Sequence, residues 1–113
     1  MEYNLEDRLL KFSRSVVVLL RSFKVTIRND NMIRQLLKSA TSVGANYSEA
    51  NGTLTKKEFA NRISICRREV RETIYRLQII KCENIQIPNH NEICQEAREL
   101  MYIFNKIAKT LRE

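Results

Sequence analysis

The chain has 113 residues, of which 43% are hydrophobic and 29% charged, with 2 Gly, 1 Pro and no Trp. So few chain breakers exclude a many-turned β fold, and the hydrophobic balance excludes a disordered chain. Twenty Lys and Arg against 13 Asp and Glu give a net charge of +7. That bias favours anionic partners such as nucleic acid, ribosomes or acidic lipid, the plainer reading being an ordinary basic surface.

The length fits a single domain, 1–113, able to bury about two-thirds of its unfolded surface. The opening stretch Met1–Asp7 is acidic and lacks the positive start of a signal peptide. The longest apolar run, Val16 to Leu20, is far short of the ~20 residues that span a bilayer. Cys66, Cys82 and Cys94 are odd in number and have no paired spacing, which fits a reducing compartment. A cytoplasmic protein with no membrane partner is expected.

Four stretches carry apolar residues at the 3-4 spacing of a helix-bundle seam. The first is Leu5, Leu9, Phe12, Val16, Leu19 and Phe23, on a helix predicted near 4–26 with Asn4 as its cap. Asn29-Asp30-Asn31 then separates it from a helix near 30–51, striped by Ile33, Leu36, Ala40, Val43, Tyr47 and Ala50. Asn51-Gly52 closes that helix, with Gly52 expected to take a left-handed cap. Thr55 and Glu58 form a capping box that opens a helix near 55–84. Its stripe is Phe59, Ile63, Cys66, Val70, Thr73, Leu77 and Ile80, where only Thr73 breaks the apolar rule.

Pro88-Asn89 breaks the chain again, and Asn89 with Glu92 repeats the box at the head of a helix near 89–112. That helix presents Ile93, Ala97, Leu100, Phe104, Ile107 and Leu111. Short connections make neighbours antiparallel, so the predicted fold is an all-α, up-down-up-down four-helix bundle. Leu10, Val17, Val18, Leu20, Ile65, Tyr75, Ile79, Met101, Tyr102 and Ile103 fall outside the seams. Such a surplus points to a subunit interface and hence a homo-oligomer.

The chain offers little chemistry. His90 is its one histidine and is expected on the surface at the start of the fourth helix. The grouping Cys82, His90, Glu92 and Cys94 matches no zinc spacing, so no metal or cofactor is expected. Glu58, Glu69 and Glu72 fall within a ~60° arc of the third helix, opposite its core stripe and among Arg62, Arg68 and Arg76. They read as a surface ion-pair network rather than a metal cradle. Neither a phosphate-binding glycine loop nor a Ser-His-Asp signature occurs, and the chain reads as a non-enzyme.

The basic residues are the stronger lead. Arg14, Arg21 and Lys24 lie on the first helix, opposite its core stripe, Lys56, Lys57, Arg67, Arg68 and Arg71 on the third, and Lys106 and Lys109 on the fourth. Cations along rigid helices neutralise phosphates with modest sequence preference. With no Trp, stacking platforms look sparse, so backbone contacts rather than base readout are expected. The alternative is a protein-interaction or scaffold module acting through its surplus apolar surface.

Three segments carry a family resemblance. They are Val43-Gly44-Ala45-Asn46-Tyr47-Ser48-Glu49-Ala50, Lys56-Lys57-Glu58-Phe59 and Arg68-Glu69-Val70-Arg71-Glu72-Thr73-Ile74-Tyr75-Arg76-Leu77. Together they resemble the bacterial four-helix-bundle proteins encoded in intervening sequences of 23S rRNA genes, often labelled a ribosomal protein family. That family is similar in fold to the accessory variability determinant proteins of diversity-generating retroelements. The resemblance implies a homo-oligomer, with a pentameric ring as the expected state, and association with nucleic acid or with a reverse transcriptase. It implies no catalytic residue. Relatives often carry Trp just before the position of Leu77, where this chain has Arg76. Gly44, Ala45 and Ser48 are small enough to let helices approach closely, and Asn46 and Glu49 are placed to cap or bridge.

Overall fold

A computed structural model describes residues 4–83 and 87–112. Four helices appear in chain order: α1 (Leu5–Arg21), α2 (Asp30–Asn51), α3 (Lys56–Ile80) and α4 (His90–Arg112). A short 3-10 turn, Lys81–Glu83, extends α3. The helices run up, down, up, down, and each packs on its two neighbours, so α1 lies diagonal to α3 and α2 to α4. The bundle measures 44 × 31 × 20 Å. The α2–α3 seam is the most extensive and the α1–α4 seam the most open.

Cap chemistry sets most boundaries. The Asn4 side chain accepts from the Asp7 backbone at 2.8 Å, and Thr55 Oγ1 accepts from Glu58 at 3.1 Å. Each satisfies an amide that has no partner in the first helical turn. Glu58 reaches back one residue past the expected capping box and accepts from the Leu54 amide, not the Thr55 amide, at 3.3 Å.

Helix α1 ends earlier than its stripe suggests. Ser22 Oγ donates to the Leu19 carbonyl at 2.6 Å, and the Ser22 and Phe23 amides turn back to Leu19 and Leu20. Beyond them, buried Asn29 organises the loop. Its side chain accepts from the Thr26 amide at 2.7 Å and donates to the Lys24 carbonyl at 3.0 Å. This side-chain network competes with continued helix for the same backbone groups. Helix α3 likewise gives way to the 3-10 turn before the expected end near 84, a position that lies outside the described residues.

The four stripes meet in one core. Phe104, Leu9, Leu36, Ile63, Leu77, Leu100, Val16, Val43 and Val70 are essentially inaccessible, and Phe104 meets Tyr47 edge-on at 5.9 Å. Leu20, expected outside, is buried: four residues after Val16 and eleven after Leu9, it falls on the core side of α1. Met101 and Ile103 also pack against the core. The true surplus is smaller: Leu10, Val18, Leu37, Tyr75, Ile79 and Tyr102 are the exposed large residues on the helices.

Thr73 is fully buried without loss. Its hydroxyl donates to the Glu69 carbonyl at 2.7 Å and lies 2.9 Å from Ser39 Oγ of α2. A satisfied hydroxyl pair fixes helix register at little net cost.

Two glycine readings change. Gly52 closes α2 with φ −93°, in the ordinary right-handed region rather than a left-handed cap. Gly44 faces α1, where an added Cβ would meet Leu9 Cβ at 3.6 Å, an ordinary contact. Close approach therefore does not require glycine at 44, and Gly44→Ala removes a helix-interior glycine. It is expected to raise stability by up to ~1 kcal/mol in urea titrations.

Candidate nucleic-acid interface

Arg62 and Glu69 sit on the α2 flank of α3. The Arg62 guanidinium donates to Asn46 Oδ1 of α2 at 3.0 Å, and Asn46 in turn donates to Ser42. Arg67 marks the other flank, donating through Nε to Asn105 Oδ1 of α4 at 3.0 Å. These two contacts orient the whole of α3. At 100° per residue, Lys57, Arg67, Arg71 and Tyr75 share a ~80° arc turned toward α4 or outward beside it.

The same reasoning orients α4. Glu96 and Glu99 face α1, where Arg8 binds Glu96 in two parallel bonds of 2.8 Å and Glu99 at 3.2 Å. The hydrogen bond from Glu96 leads in raising the Arg8 pKa, so this clamp across the open seam holds a fixed positive charge. Arg98, Tyr102, Asn105, Lys109 and Arg112 share a ~80° arc on the outer, α3-facing side.

The result is a segregation of charge. Glu58, Glu69 and Glu72 of α3 lie toward α2, and Glu92, Glu96 and Glu99 of α4 lie toward α1. Among the described residues, the face between α3 and α4 holds Lys57, Arg67, Arg71, Arg98, Lys109 and Arg112 with no carboxylate. Arg68 stands at its α2 edge, 3.6 Å from Glu69. Lys106 stands at its α1 edge, 5.4 Å from the centre of the Tyr102 ring.

This arrangement sorts the predicted cations. Arg67, Arg68, Arg71, Lys106 and Lys109 come together on the α3–α4 side, with Lys56 and Lys57 at its lower end. Arg14 and Arg21, exposed on α1, and Lys24 in the following loop do not join them, since α1 is diagonal to α3 and meets α4 on its opposite flank. Arg98 was not singled out in the sequence, because a lone Arg between Glu96 and Glu99 reads as part of a mixed surface.

The expected ion-pair network of Glu58, Glu69 and Glu72 is also redrawn. Glu69 is half-buried against α2, Arg62 bonds Asn46, and the buried Arg76 Nε has no hydrogen-bond partner. Exposed Tyr75 and Tyr102, 63% and 64% accessible, supply stacking surfaces that a tally of Trp does not register.

His90 overturns the surface reading: it is buried, and its Nε2 donates to the Leu77 carbonyl at 2.7 Å. The cause lies one residue earlier, where Asn89 takes φ 63° in place of the expected capping box. That left-handed step, tolerable for Asn, turns His90 inward onto the last turn of α3. The bond satisfies a carbonyl near the helix C-terminus.

Cys94 lies one turn on, with Sγ 3.6 Å from His90 Nδ1. His90 and Cys94 are therefore neighbours one turn apart on the buried face of α4. Burial pushes the Cys94 thiol up, away from the thiolate form a nucleophile needs. No group of three or more potential metal ligands occurs among the described residues.

Burial also pushes the Cys66 thiol up to about 12, while its Sγ donates to the Val43 carbonyl at 3.6 Å. An unfolded thiol ionises near 8.5. Below that pH the contribution is fully present, and it is lost as pH rises toward the folded value. The expected slope is about −1.4 kcal/mol per pH unit above ~8.5. Comparing urea stability of the wild type and Cys66→Val from pH 8 to 10 isolates it: the wild type is expected to lose stability steadily relative to the variant.

A concave groove of about 830 Å³ runs along the α1–α4 seam. Phe12, Val18, Leu19 and Ile93 form its apolar lining, with Arg8, Arg14, Glu92 and Glu96 at its edges. No helix among the described residues is long and apolar enough to cross a membrane.

Comparison with known proteins agrees with this architecture. A crystal structure of a protein of unknown function from the S23 ribosomal protein family of Bacteroides thetaiotaomicron VPI-5482 superimposes with a TM-score of 0.82. The two are 26% identical, over 94% of this chain and 99% of that one. None of the curated protein sequences matches the chain. The profile of the family described as 23S rRNA-intervening sequence protein matches residues 3–106, so the chain belongs to that family.

Proposed function

We propose that the protein acts by binding rather than catalysis, as an oligomeric helical bundle that holds nucleic acid through phosphate contacts on its α3–α4 face. The observation that carries this reading is the segregation of charge: cations from two adjacent rigid helices share one surface from which the carboxylates of both helices are turned away. A polyanion meets there a field not cancelled locally, and multidentate guanidinium groups suit phosphate oxygens. In a homo-oligomer, with a pentameric ring as the form suggested by the family resemblance, the face is repeated and weak contacts add. Exposed Leu10, Val18 and Leu37 supply apolar area for such an assembly.

The test is fluorescence anisotropy with labelled RNA and DNA oligonucleotides across a salt series. Binding at low salt is expected, with log affinity falling linearly against log salt as phosphates are neutralised. Absence of binding to every probe at low salt would overturn the reading.

The groove between α1 and α4 favours a second reading, a protein-interaction module, for example an accessory subunit to a reverse transcriptase. An apolar groove with charged edges suits an amphipathic segment of a partner. Light scattering coupled to sizing bears on both. A clean monomer at high concentration would remove the ring and leave the groove needing a different partner.

A further inference from the structure

Tyr75 and Tyr102 stand on the outer surface of the α3–α4 face, each more than 60% exposed, and neither ring is used in the packing of the bundle itself. Both are set among cations. Arg71 precedes Tyr75 by one turn of α3, and Lys106 Nζ lies over the Tyr102 ring at 5.4 Å. The bond between Arg67 and Asn105 sets the antiparallel register. Counting from that level at 1.5 Å per residue offsets the two rings by roughly 7 Å along the bundle.

Tyr102 also borders a shallow recess of about 430 Å³, shared with Gln95, Arg98, Glu99, Arg8 and Ile103. Glu99 is engaged there by Arg8 at 3.2 Å, which leaves the Gln95 amide and the Arg98 guanidinium as donors at its mouth. Arg8, Glu99 and Ile103 place this recess on the α1 side of Tyr102, so the ring stands between it and the uncompensated cations of the α3–α4 face.

From this arrangement we infer that the face takes single-stranded rather than duplex nucleic acid, with unpaired bases stacked on Tyr102 and Tyr75. The inference rests on the nucleic-acid reading above and narrows it to a substrate class. A duplex buries its base faces in its own stack and presents only phosphates and groove edges. A single strand offers both of the chemistries found here, phosphates to the arginines and base π-faces to the tyrosines. Recognition by stacking tolerates any base, so RNA and DNA strands of one sequence are expected to bind alike.

The test measures anisotropy of labelled 12-nucleotide single-stranded RNA, the matching single-stranded DNA and the corresponding blunt DNA duplex, at one low salt concentration. Both single strands are expected to bind at least tenfold more tightly than the duplex. Tyr102→Ala is expected to weaken single-strand binding about tenfold and to leave duplex binding unchanged, in the range of a lost base–aromatic stack. Tyr102→Phe keeps the ring and is expected to stay near wild type. Because both positions are exposed, the variants are expected to keep the wild-type circular dichroism.

Equal affinity for duplex and single strands would overturn the inference. So would wild-type single-strand affinity in the double variant Tyr75→Ala/Tyr102→Ala. Either result, with salt-dependent binding retained, would leave the phosphate-binding reading standing. Loss of binding to all three probes in the wild type would remove both.

Discussion

Phe104→Ala is expected to destabilise the bundle by about 3–5 kcal/mol, much of the total stability of a domain this size. Phe104 is fully inaccessible, at the centre of the α4 stripe, and meets the Tyr47 ring of α2 edge-on at 5.9 Å. The substitution removes the apolar area of the ring, its contacts with neighbours and the aromatic pair across the bundle diagonal. Rigid helices on every side limit collapse into the space left behind. A urea titration followed by circular dichroism reads the effect as a lower midpoint with a similar slope. A loss below ~1 kcal/mol would mean that the four seams do not close on this residue.

The largest functional effect is expected from reversing charge on the α3–α4 face. Arg71→Glu, Arg98→Glu and Lys109→Glu together lower the net charge from +7 to +1. All three side chains are exposed, so the fold is expected to survive with little change in stability. Each reversal removes a phosphate contact and adds a like charge beside the remaining ones. Losing three contacts from a small interface is expected to weaken binding by more than 100-fold at low salt and to flatten the salt dependence by about three units.

The helical seams were legible in the sequence because burial imposes its own period. Leu9, Phe12 and Val16 could not share a face in any other regular structure. Asn4 and Thr55 were legible because a cap is a local bond between near neighbours. His90 was misread because its burial depends on the φ of Asn89, a choice of backbone well that residue type only biases. Leu20 lies one turn after Val16, on a buried face wider than a single 3-4 stripe, and the helix ends before the apolar pattern does because Ser22 bonds Leu19 and Asn29 bonds Thr26.

The candidate interface was half legible. Each helix shows its cations in sequence, but which flank of α3 faces α4 follows from the handedness of the bundle, which the stripes do not contain. Arg67 joins the face and Arg62 leaves it because one reaches Asn105 and the other Asn46. Arg14 and Arg21 separate from the rest because α1 is diagonal to α3 and packs on the opposite flank of α4, and Lys24 lies in the loop that follows α1.

The central claim is that one face, rather than overall basicity, holds nucleic acid. The most direct measurement compares two variants of equal net charge in the same low-salt anisotropy assay. One carries Arg71→Glu, Arg98→Glu and Lys109→Glu, the other Arg14→Glu, Arg21→Glu and Lys24→Glu. The account predicts loss of binding in the first and affinity within about fivefold of wild type in the second, since distant charges are largely screened. Equal loss in both would show that total charge governs binding and would contradict it.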